Sequence, residues 1–325
     1  MNVFKAATAS GMALGLALAS PGAGIPAAGA STRPASAKVA KLRHDTPMSR
    51  TKGGKVAVGE SVATAGASPV SRAFRGTGRR SGSTGVSFAR RFPKGVTMLD
   101  SPARGRTAMN IVGVDGRRQI TRTTDYPHRA QGIVTFTAPN GVTYGCTAFL
   151  YAPNTIGTAG NCVYMHNEAL NVHGWNRDFV FYPGKNGSAN PYGSCGYAEQ
   201  HVMAGWAVYK DADYAYAAIR LNCTIGNTTG WLALEWRSAI YSGDLAILSG
   251  YPNDKPWGTV WEATGEITYP SALLLYHGID VSGQTGSALR IGSNSVIGIQ
   301  VVSASINMAT RITEQAAGNL LSWRS

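Results

Sequence analysis

Beyond about residue 130 the chain alternates short apolar, β-rich runs with clusters of Gly, Pro, Asn and Asp. QGIVTFTA, VTYGCTAFLY, DFVFYP, AIRLN, LAILSGYP, GTVWEATGEI, SALLLYH, SALRI and SVIGIQVV are such runs. Many short strands separated by turn residues predict an all-β barrel or sandwich. ITEQAAGNLLSW alone has helical spacing, with Ile312, Ala316 and Leu320 on one face of a short C-terminal helix. No internal repeat stands out. Upstream the pattern is different. Residues 31–106 are rich in Ser, Gly, Ala, Pro, Lys and Arg, with few large apolar side chains. Such a composition predicts a disordered segment, because too little apolar surface is available to offset the entropy of ordering. The first 30 residues read as a signal peptide: Lys5 precedes the apolar MALGLALA, and small-residue cleavage sites follow at Ala17-Leu18-Ala19 or Ala28-Gly29-Ala30. The predicted organisation is therefore a signal peptide over 1–30, a basic disordered pro-segment over 31–106 and a β domain over 107–325, in a secreted protein.

Charge refines that division. Of the net +13, residues 31–106 carry the whole excess, with 16 Lys and Arg against 3 Asp and Glu, whereas residues 107–325 hold 13 basic and 14 acidic side chains. The domain is thus near neutral, and nucleic-acid binding is not expected of it; the basic tail is the part that meets anionic surfaces. Arg79-Arg80, Arg90-Arg91 and ARGR at 103–106 resemble sites where a pro-segment is trimmed, the other reading being a permanent solvated tail. No apolar run reaches the roughly 18 residues of a membrane span.

Four cysteines, Cys146, Cys162, Cys195 and Cys223, predict two disulfides in an oxidising compartment, with three pairings open. No CxxC pair or Cys/His cluster has metal-ligand spacing, so no metal and no cofactor is expected. Asn186-Gly187-Ser188, Asn222-Cys223-Thr224 and Asn227-Thr228-Thr229 fit the glycosylation acceptor pattern, a common chance match.

Candidate chemistry comes from three segments in order: NGVTYGCTAFLYAPNTIGTAGNCVY from Asn140, DYAYAAIRLN from Asp213, and SGQTGSAL from Ser282. Together they resemble the general-base loop, the acidic segment and the nucleophile loop of trypsin-like serine peptidases. IVGVDGRRQITRTTDYPHRAQGIVTF, PYGSCGYA, NCTIGNTTGWLAL and MATRIT make the glutamyl endopeptidase branch the nearer match, from about Ile111 to the C-terminus. The segment before Ile111 carries no family signal beyond its position.

The resemblance implies two six-stranded Greek-key β-barrels with a short C-terminal helix. It also implies the pairings Cys146–Cys162, 16 residues apart as in the family, and Cys195–Cys223. The triad positions fall on Asn161, Ala215 and Thr285, where the family has His, Asp and Ser. An amide cannot take up a proton near neutral pH, and alanine cannot orient a base. Asp213 lies two residues early, about 7 Å away along a strand. Gly283 and Thr285 are the oxyanion-hole candidates. Gln300, in VIGIQ, stands where the Glu-specific branch has a His that binds the substrate carboxylate. Three departures at three distant places point to an inactive homologue that binds a peptide or protein. The competing expectation is an active secreted endopeptidase using Thr285 with an unrecognised base. His166, His173, His201 and His277 are the stand-ins, His277 the foremost because it precedes the nucleophile loop. A third treats the basic tail as the working part and the domain as its carrier.

Overall fold

A computed structural model describes residues 42–62, 71–79, 82–99, 114–239, 241–303 and 306–324. The predicted signal peptide and the predicted boundary near residue 106 lie outside them. Residues Leu42–Ser325 group as one compact unit.

Two closed six-stranded antiparallel barrels form its body, as the resemblance implies. The first runs in the order Arg177–Pro183, Gln131–Thr137, Thr143–Ala152, Thr155–Ala159, Tyr216–Leu221 and Cys195–Met203, and closes where Val180 and Phe181 meet Gly196 and Cys195. The second runs Ser295–Val302, Ala288–Ile291, Leu245–Gly250, Val260–Pro270, Leu274–His277 and Asn307–Arg311, closing between its last and first strands. The runs read from the sequence become these strands because each places apolar or β-branched side chains in a barrel core; Ile133, Val134 and Phe136 are fully buried in the first, Ile297 and Leu289 in the second. Thr155–Ala159, Cys195–Met203 and Asn307–Arg311 were not among the predicted runs. The last two carry polar residues, such as Glu199, Gln200 and Asn307, inside their strands.

The disulfides are Cys146–Cys162 and Cys195–Cys223. Each closes a loop long enough to be worth roughly 3 kcal/mol on chain-entropy grounds. The C-terminal helix, Glu314–Ser322, is capped by Thr313, whose hydroxyl accepts from the Ala316 amide at 3.1 Å. Ala316 and Leu320 are buried on its inner face as expected, whereas Ile312, also buried, lies before the capping Thr313 and not on the helix; the Tyr151 hydroxyl of the first barrel donates to the Leu320 carbonyl at 2.9 Å.

The expected disorder over 31–106 is corrected for the described residues in that range. Pro47–Thr51 forms a strand paired antiparallel to Cys195–Met203, in register from Pro47↔Met203 to Thr51↔Glu199. Val56–Val58 pairs outside it, and Thr97–Met98 runs parallel to Thr143–Ala152. Val96, Met98 and Leu99 are buried, and the side-chain amide of Asn319 holds Val62 and Ser61. Composition misleads here because it asks whether a segment can build its own core. This one borrows a core: a few apolar residues drop onto a finished barrel, and main-chain pairing does the rest. Among the described residues no helix is long and apolar enough to cross a membrane.

Candidate functional site

Asn161 lies in the single-turn helix Gly160–Val163, directly after the first-barrel strand Thr155–Ala159. The Gly160 amide donates to the Ala215 carbonyl at 2.6 Å. Only glycine allows that approach, since a Cβ at 160 would stand 2.6 Å from the Trp206 ring. Two of the three sequence-singled positions thus meet through neighbouring backbone.

The third comes from the second barrel. The carbonyl of Thr285 accepts from the Thr147 amide at 3.0 Å, and a Cβ on Gly286 would lie 2.2 Å from the Thr147 carbonyl and 2.3 Å from the Thr158 hydroxyl. Gly283 and Gly286 take φ values of +58° and +88°, in the left-handed region glycine favours. The loop is pinned from its other side by Asn253, whose side-chain oxygen accepts from the Ser282 hydroxyl at 2.8 Å. Asn161, Ala215 and Thr285 are therefore gathered where the two barrels touch. All three are closed to water, at 4%, 1% and 0% exposure.

The local chemistry is neutral. Asn161 uses its Oδ1 to accept from the His166 amide at 2.9 Å, so the side chain ties its own loop together. Ala215 follows the 3-10 turn Ala212–Tyr214, which is capped by Asp211 accepting from the Asp213 amide. Asp213 thus sits in a turn rather than along a strand. Burial, and then the nearby Asp211, push its carboxyl above the usual range.

Gln300 is fully buried and committed on every side. Its backbone carbonyl accepts from the Gly286 amide and its amide donates to Ser287, both at 2.9 Å, while its Nε2 donates to the Val302 carbonyl at 2.7 Å. Its Oε1 accepts from His277 Nε2 at 2.8 Å. His277 Nδ1 is buried with no partner, and burial pushes this imidazole down to about 4. A neutral His–Gln pair thus lies beside the nucleophile loop. Both residues stand out in the sequence, but nothing there joins them, since their strands are brought together only through the intervening strand Asn307–Arg311.

The other histidines are engaged elsewhere. His166 Nδ1 faces His173 Nδ1 at 3.2 Å, and its Nε2 donates to the Trp206 carbonyl at 3.0 Å. His201 stacks on Trp323, and burial holds it down at about 4 despite Glu199 nearby. Sequence reasoning also passed over buried Arg290, which donates to Glu262 at 3.1 Å, and over Lys185. Among the described residues no group of three or more His, Cys, Asp or Glu side chains is placed to hold a metal.

Two closed barrels joined by a glycine-rich loop of the second against the first define the trypsin-like architecture. No protein-family model matches the chain. It is 33% identical over 292 residues to the extracellular metalloprotease of Bacillus subtilis, covering 87% of this chain and 89% of that protein. It is 31% identical over 243 residues to the glutamyl endopeptidase of Bacillus licheniformis, covering 69% of this chain and 72% of that one. Among solved structures, a Glu endopeptidase in complex with MPD superimposes with a TM-score of 0.58 at 30% identity, over 66% of this chain and 98% of that one. The chain belongs to the trypsin-like serine peptidase family, near its glutamyl endopeptidase branch. A match covering 87% of the chain cannot fit within residues 107–325, so likeness to relatives extends into the segment before them, which the sequence reading had left without family signal. One relative's name speaks of a metal; the donor sets of the described residues here do not fit one.

Proposed function

We propose that this chain is a secreted serine peptidase homologue that has lost catalysis and acts by binding a peptide or protein. The observation carrying this reading is the state of Asn161: where a general base is needed, an amide is locked onto the His166 backbone. Ala215 offers no carboxylate to orient a base. Thr285 keeps a hydroxyl, but it is sealed from water and its extra methyl crowds the attack path. The neutral His277–Gln300 pair brings no cation to meet a substrate carboxylate, so a preference for Glu is not carried over. Secretion is supported by the N-terminal sequence pattern and by an extracellular relative.

The pro-segment reading changes with the fold. Trimming at the basic sites of 103–106 would leave residues 42–99 held by strand pairing to the domain, as a second chain of a nicked molecule.

Active-site labelling tests the main reading. The purified protein, before and after trimming, should show no reaction with a fluorophosphonate probe and no turnover of peptide esters above background. Ester hydrolysis that Thr285→Ala abolishes would overturn it and establish the active alternative.

A further inference from the structure

Lys185 follows the first-barrel strand Arg177–Pro183, and its side chain is fully buried. Its ammonium donates to Asn190 Oδ1 at 3.0 Å and lies 4.3 Å from the Phe92 ring centre and 4.9 Å from that of Trp257. The rings meet edge to face, 4.7 Å apart. Above them opens a hollow of about 520 Å³, rimmed also by Arg91 and Lys94. No carboxylate lines it among the described residues. The other buried cations have one: Arg117 meets Asp115 and Asp254, and Arg290 meets Glu262. Lys185 has aromatic faces and an amide instead, and burial alone pushes it down to about 8.

Aromatic faces favour a cation but do not cancel its charge. A charge held out of water is poorly screened, so its field reaches into the hollow, where Arg91 and Lys94 add to it. The volume suits a small organic molecule of one or two rings. We propose that this hollow binds a small organic anion with a flat apolar body, the charged group drawn to Lys185, Arg91 and Lys94 and the body lying against Phe92 and Trp257. The site exists only because residues 91–96 are seated on the domain. It shares no residue with the space between the barrels.

Calorimetric titration of the full chain tests this with benzoate, phenyl phosphate, neutral benzamide and inorganic phosphate. Benzoate or phenyl phosphate should bind at least tenfold more tightly than both benzamide and inorganic phosphate, and the tighter of the two names the charged group. Lys185→Met should weaken that binding at least tenfold, while Lys185→Arg keeps it within about threefold. Trp257→Leu, at a position 43% exposed where folding is not at stake, should weaken it about fivefold. If Lys185→Met fails to fold, Trp257→Leu and the ligand series decide. Benzamide binding as well as benzoate, inorganic phosphate binding as well as phenyl phosphate, no binding by either aromatic anion, or indifference to Trp257→Leu would each overturn the proposal.

Discussion

Between the barrels, Asn161 Oδ1 and the Gln300 side chain bond to nearby backbone and to His277, and both residues are closed to water. Over Lys185 the arrangement is reversed: a cation with no carboxylate beside it among the described residues adjoins an open hollow walled by aromatic rings, formed where the segment 91–96 meets the rest of the domain. Both places lie within one compact unit, and the contrast between them comes from a few side chains. On the proposed reading, the frame is kept by packing while its reactive groups are exchanged for ones that hold it closed. What still invites a ligand then has to be sought where a charge has been left unpaired.

The sharpest way to break this comparison is to rebuild chemistry between the barrels. Asn161→His with Ala215→Asp and Thr285→Ser should raise peptide-ester hydrolysis at least about 100-fold over the unmodified protein, because triad members act as a unit. Thr285→Ser alone should change it less than about threefold. A triple variant that folds, by circular dichroism, yet stays silent would show that closure of the site, and not its side chains, prevents catalysis.

A second effect concerns the segment that makes the hollow. Removing residues 42–99 takes away the five-residue pairing of Pro47–Thr51 and the buried Val96, Met98 and Leu99, and should lower the melting temperature by more than about 5 °C. Cutting the chain within 100–113 without removing anything should leave both fragments eluting together from a sizing column. A freely released, fully stable 114–325 domain would restore the simpler picture of a passive tail.

The third prediction uses the neutral histidines. His277 and His201 both sit near 4, against an ordinary value near 6.5, so the unfolded chain binds more protons between those limits. Their contribution is complete above about pH 6.5 and is lost as pH falls toward 4, at up to about 1.4 kcal/mol per pH unit for each proton. Urea midpoints measured at pH 7, 5.5 and 4.5 should fall in that order, and His277→Gln should flatten the slope. Equal midpoints at pH 7 and 4.5 would contradict the burial-driven depression.

Much of the architecture was legible in the sequence because a barrel strand announces itself through a short run of β-branched and aromatic residues between turn residues, as in QGIVTFT at 131–137. The strand Cys195–Met203 was not, since Glu199 and Gln200 break its pattern; Glu199 reaches Arg220 on the neighbouring strand, a partner only the fold supplies. The positions Asn161, Ala215 and Thr285 were named only through the resemblance of their segments to a peptidase family. What Asn161 does could not be read that way, because its partner is a backbone amide. Lys185 escaped for a related reason: Phe92 and Trp257, which define its setting, come from segments far apart in sequence.

One consequence follows from where Pro47–Thr51 lies. It occupies the same side of Cys195–Met203 on which Val180 and Phe181 close the barrel, and so covers the stretch 199–203 that the closure leaves over. Stripped of that cover, the rim would present a row of amide and carbonyl groups ready to pair with any extended chain, including another copy of itself. A gene cut to begin at the classical start of such a domain would therefore yield an adhesive protein, prone to self-association in the expression host, for want of a sleeve that composition alone marks as dispensable.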